Sequence, residues 1–224
     1  METSVGGAPC PRVNGRNIYI GLSAAVLITA GFTFALPTLY SLDMPAPFRI
    51  TTLFAVQAFL FVVAVFCNCA IERRSFADLG FTKNFFGKQL AYAVIIFALL
   101  CAVFVGVPLL IGMRDIFGSP DNPLFAVPYC FAVGFAEETL FCGYILKALQ
   151  RLNLPKIAVV AVSSLLFGAW HFILSGNALQ VLSTSAIRAV LAVFVLYGRK
   201  CTTLSVSVAH GAYDSVLRVL AVLL

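Results

Sequence analysis

The sequence predicts an all-α, polytopic membrane protein of about seven transmembrane helices with a cytoplasmic amino terminus. Three observations carry this. First, the 224 residues are 61% hydrophobic and only 11% charged, with a mean hydropathy of +1.00, against roughly 25% charged residues in a soluble domain. Second, seven apolar runs are each long enough to cross a bilayer. Third, Lys and Arg gather in every second connection, as expected if cytoplasmic loops retain positive charge during insertion.

A polar tail over residues 1–16 opens a single membrane domain over 1–224. The first run, 17–36, follows Arg12 and Arg16 like a signal peptide. It is nevertheless as long as a full span and lacks an Ala-x-Ala cleavage site, so it reads as a retained helix. The next runs cover 50–71, 89–112, 124–146, 157–174, 178–197 and 202–222, the fifth span being short enough to suit a re-entrant segment as well. Between them lie turn residues: Pro37, Met44-Pro45-Ala46-Pro47, Gly118-Ser119-Pro120-Asp121-Asn122-Pro123, Asn153-Leu154-Pro155 and Ser175-Gly176-Asn177. No internal repeat or low-complexity tract is present.

The cations give topology rather than a nucleic-acid surface. The net charge is +6, but Arg12, Arg16, Arg73, Arg74, Lys83, Lys88, Lys147, Arg151, Lys156, Arg199 and Lys200 all fall in the connections that an N-in arrangement places inside. Arg49 and Arg114 fall outside, while Arg188 and Arg218 lie within spans. The seven cysteines are an odd number spread mostly through apolar runs, so they act as small hydrophobes rather than a disulfide framework. Cys67 and Cys69 are two apart and lack a metal-knuckle spacing.

Against this background the buried polar residues stand out, because ionisable groups in hydrocarbon are expensive and are retained for function. Glu137 and Glu138 interrupt span four, and the chain's two histidines, His171 and His210, lie in spans five and seven with Asp214. At ~1.5 Å per residue, Glu137 and Glu138 lie ~15 and ~14 Å from Lys147, His210 ~15 Å and Asp214 ~21 Å from Lys200, and His171 ~22 Å from Lys156. Three helices therefore deliver acid and imidazole to similar depths. Phe167 with His171, His210 with Asp214, and Glu138 with Cys142 are each four apart and share a face. Gly143, Gly168 and Gly211 adjoin these residues and allow close helix approach.

The runs Glu137-Glu138-Thr139-Leu140-Phe141-Cys142-Gly143, Phe167-Gly168-Ala169-Trp170-His171 and His210-Gly211-Ala212-Tyr213-Asp214 resemble the CPBP family of glutamic intramembrane proteases, which includes the Rce-type CAAX prenyl endopeptidases and Abi-like proteins. The family pattern is Glu-Glu-x-x-x-Arg, Phe-x-x-x-His and His-x-x-x-Asn or Asp, and the resemblance makes 124–222 the catalytic core. Arg73 to Phe81 also resembles the short cytoplasmic segment ahead of that core. Cys142 stands where the family has Arg: one reading is that Cys merely packs there, the other that Arg188, about ten residues from either end of span six, supplies the missing cation.

The resemblance implies an intramembrane endopeptidase in the cell membrane, a bacterial inner membrane above all. Its substrate would be a membrane-embedded or lipidated protein or peptide, cut near its C-terminus at a processing or sorting signal. Glu137 and His171 would activate water, with Glu138 beside them. His210 and Asp214 would stabilise the oxyanion, Asp214 donating directly when protonated and otherwise orienting His210. No cofactor is required by this scheme, although Glu137, His171 and His210 are also what a Zn²⁺ site would use. Two other readings stay open: a Cys142-dependent transpeptidase or cysteine protease of sortase-like function, and a non-enzymatic proton or metal-ion transporter.

Overall fold

Hydrocarbon offers the backbone no hydrogen-bond partners, so each apolar run closes its own as a helix. The computed structural model describes residues 15–40, 43, 45–113 and 123–223, and its regular elements there are all helical. Residues 1–14 of the tail with Cys10 and Arg12, Met44, Arg114 and the turn over 118–122 lie outside the described residues.

Seven helices are long and apolar enough to cross a membrane, which makes this a multi-pass membrane protein. They are α1 (Gly15–Tyr40), α2 (Ala46–Val65, continued by a π-helical turn Phe66–Ile71), α3 (Phe86–Cys101, continued to Leu110), α4 (Pro123–Glu138, continued to Arg151), α5 (Lys156–Ser175), α6 (Ala178–Tyr197) and α7 (Thr203–Leu223). The fifth span is a continuous 20-residue helix rather than a re-entrant segment. Its start follows Pro155, which cannot extend a helix backwards, and Gly176 ends it with φ +64°.

The basic ends of the helices meet at one end of the bundle. Arg151 binds Glu72 at 2.9 Å, joining α4 to α2. Lys156 Nζ donates to the Leu196 carbonyl at 3.2 Å, and Thr202 Oγ1 donates to Gln89 Oε1 at 2.7 Å. A short 3₁₀ turn, Phe76–Leu79, closes this end. Ser75 and Asp78 form a reciprocal capping box at its start, and Gly80 ends it at φ +92°, where a side chain is disfavoured. Lys147 Nζ donates to the Asp78 carbonyl at 2.9 Å and Thr203 Oγ1 to the Leu79 carbonyl at 2.6 Å, so the turn is held by both α4 and α7. A depression of about 460 Å³ lined by Arg74, Asp78, Lys147 and Arg151 lies here, and neither Glu137 nor Glu138 lines it.

Close crossings set the positions of the motif helices. A Cβ on Gly134 would lie 2.6 Å from the Gly211 nitrogen and 2.8 Å from the Ser207 carbonyl, so α4 and α7 touch backbone to backbone. A Cβ on Gly168 would meet the Val181 carbonyl at 2.8 Å, which brings α5 equally close to α6. Small residues permit such contacts, and the packing they allow is what drives helix association in lipid.

Candidate active site

The Glu pair sits where α4 changes its winding. Thr139 Oγ1 donates back to the Phe135 carbonyl at 2.6 Å, and Thr139–Leu146 then form a π-helix, a local form that often marks functional sites. Adjacent helical residues point about 100° apart, so Glu137 and Glu138 address different neighbours.

Glu138 is fully buried and both of its oxygens are engaged. Oε2 accepts from Arg188 Nη1 of α6, and Oε1 lies 3.0 Å from His210 Nδ1 of α7. A carboxylate oxygen only accepts, so His210 Nδ1 carries the proton given to Glu138. Nε2 then faces Asp214, whose Oδ2 is 3.6 Å away. One carboxylate thus ties three helices together. Arg188 is also fully buried, and its guanidinium lies beside the Cys142 thiol. The cation anticipated at span six therefore reaches the motif helix, with Cys142 packed in the space alongside it.

Glu137 is buried differently. It lies in the electrostatic field of His210, Asp214, Glu138 and Arg188, yet its Oε2 has no hydrogen-bond partner among the described residues. Buried polar atoms are almost always satisfied, and the exceptions call for an explanation. Among the predicted site residues His171 is the peripheral member. Its Nδ1 lies 3.0 Å from the Phe167 carbonyl, and the Phe167 ring neighbours both imidazoles, with centroids 4.4 Å from His171 and 6.2 Å from His210.

Aromatic packing wraps the cluster on the α1 side. Phe141 meets Phe167 edge-on at 4.9 Å and Trp170 at 5.5 Å. Trp170 Nε1 donates to Thr33 Oγ1 at 2.6 Å, and Thr33 Oγ1 donates to the Thr29 carbonyl at 2.7 Å. Sequence reasoning missed this contribution of α1, the packing role of Gly134 and the π-helix. A Thr at positions 29 and 33 of an apolar run, four apart, was the available signal for the first.

Among the described residues no group of three or more His, Cys, Asp and Glu is arranged to hold a metal ion. The described cysteines are all free thiols. Desolvation pushes the thiol of Cys201, between α6 and α7, up to about 12, which suits a packing group rather than a nucleophile.

In comparison with known proteins, residues 119–216 match the family model described as type II CAAX prenyl endopeptidase Rce1-like. No curated protein and no solved structure matches the chain.

Proposed function

We propose, from the match of residues 119–216 to the family model of Rce1-like type II CAAX prenyl endopeptidases, an intramembrane endopeptidase in which Glu137 is the base that activates water. The observation that carries this is the division of labour within the Glu pair. Glu138 is committed to Arg188 and His210, whereas Glu137 keeps a buried, unpartnered oxygen beside them. A water bound to Glu137 Oε2 would give up its proton to that oxygen as its own oxygen attacks the scissile carbonyl. The same proton then passes to the leaving amine as the C–N bond breaks, so Glu137 ends the cycle as it began.

The remaining residues fit supporting roles. His210, held at Nδ1 by Glu138 and protonated also at Nε2, would donate Nε2–H to the oxyanion. Arg188 would take the place of the motif arginine: a cation from α6 reaches the carboxylate that a cation at position 142 would otherwise hold, and Cys142 leaves room for it. His171 would help position the water or substrate from the α5 side. The scheme needs no metal, and the substrate would be a membrane-associated protein cut near its C-terminus in a bacterial cell membrane.

The test compares C-terminal peptides of the membrane proteome from cells carrying the wild-type protein and Glu137→Gln. Loss of defined processed C-termini in the variant is expected. An identical set of termini, with both proteins present at equal levels, would overturn the assignment of Glu137.

A further inference from the structure

The charged cluster is closed toward one end of the bundle and open toward the other. Side-chain exposure is 0% for Glu138 and Arg188, 7% for His210 and 26% for Asp214. The step from His210 to Asp214 runs along α7 away from the basic end. In the opposite direction Leu140, Cys142, Tyr144 and Leu146 of α4, and Thr203, Val206 and Ser207 of α7, are all buried. Beyond them the Phe76–Leu79 turn is fastened down by Lys147 and Thr203.

Helix α6 shows the same asymmetry. Gln180, Thr184 and Arg188 follow at steps of four and share a face. That face is the inward one, since Arg188 is buried in the cluster while Leu179 and Leu182, on the other side, are 62% and 69% exposed. Gln180 and Thr184 remain half-buried although they point inward. His171, near the far end of α5, is half-buried too, and Arg218 lies one turn beyond Asp214 within its electrostatic reach. Ionisable residues within spans face the bundle interior or a water-filled cavity. Here half-buried polar residues follow one another along α6 and α7 from the far end of the bundle toward the Glu pair, a polar track through the spans.

We propose that water and the scissile segment reach Glu137 along this track, between α5, α6 and α7, from the end opposite the basic residues. Positive charge assigns the basic end to the cytoplasm, so the substrate class is a membrane-anchored protein or peptide that presents its cleavage site in the non-cytoplasmic half of the bilayer. The substrate part of this inference rests on the endopeptidase reading, whereas the path of access does not.

The test measures side-specific labelling of Gln180→Cys and Thr184→Cys by the membrane-impermeant thiol reagent MTSET, in sealed vesicles of both orientations, as the increment over the parent protein. Ala178→Cys and Leu154→Cys, exposed at the far and basic ends respectively, report which side each end faces. Both track positions are expected to react from the side that labels Ala178→Cys and not from the other, and their modification is expected to abolish cleavage. Reaction only from the Leu154→Cys side, or from neither side in both variants, would overturn the track. Labelling of Ala178→Cys from the cytoplasmic side would overturn the substrate side. The outcomes are separable from the enzyme assignment: a track that labels as expected in a protein whose Glu137→Gln variant still processes its substrate sinks the assignment of Glu137 and leaves the access path standing.

Discussion

Arg188→Leu removes the cation that holds Glu138 while leaving a side chain able to fill much of the space. Both members of the pair are fully buried, and stranding one charge of a buried pair typically costs about 3–5 kcal/mol. Glu138 keeps its hydrogen bond to His210 at 3.0 Å, so the lower bound of about 3 kcal/mol applies. On the scale of soluble domains of this size that corresponds to a fall of about 6–12 °C in the unfolding midpoint. If the same energy is needed to keep His210 in its working position, cleavage falls by roughly two powers of ten. The assays are thermal unfolding in detergent and release of the C-terminal fragment from the substrate that the Glu137→Gln comparison reveals. Adding Glu138→Gln to Arg188→Leu is expected to restore most of the stability, because no unpaired charge then remains, but not the cleavage. Adding Cys142→Arg instead is expected to restore part of both, since it returns a cation to the same carboxylate. An Arg188→Leu protein with unchanged midpoint and unchanged cleavage would refute the reasoning.

Three further outcomes follow from the same geometry. Gly134→Ala places a methyl group 2.6 Å from the Gly211 nitrogen and is expected to destabilise the protein by about 1–3 kcal/mol through overpacking, read as a lowered unfolding midpoint; an unchanged midpoint would show that α4 and α7 can separate freely. Cys142→Ala is expected to retain cleavage of the same substrate, whereas complete loss in a folded, monodisperse protein would favour the thiol as nucleophile. Exhaustive chelation is expected to leave cleavage intact, and stoichiometric Zn²⁺ lost together with activity by elemental analysis would contradict a purely glutamate-driven mechanism.

The site was legible in the sequence to the extent that burial penalties make it so. Glu137, Glu138, His171, His210, Asp214 and Arg188 stand out because each is costly inside an apolar run. Depth counting along helices brought the two glutamates, the two histidines and Asp214 to similar depths, ~14–22 Å from the basic ends, without any knowledge of contacts. It could not say which carboxylate takes the cation, because adjacent residues differ only in direction around the helix axis. That direction depends on the π-helix after Glu138 and on which helices flank α4. Gly134 gave no signal as a single small residue among many, and Asp78 and Leu79 offer the fastening points of the basic end through backbone carbonyls, which every residue has.

By itself, then, the chain's order of residues determined seven spans, their alternation and the polar groups they carry, because hydrophobic length and charge placement are local properties that the bilayer reads directly. Only the tertiary structure decided that Glu138 is tied to Arg188 and His210 while Glu137 Oε2 has no hydrogen-bond partner among the described residues, and that Asp214 keeps a partly exposed side chain. Those properties belong to helix crossings and rotations, which arise from contacts between segments far apart in the chain.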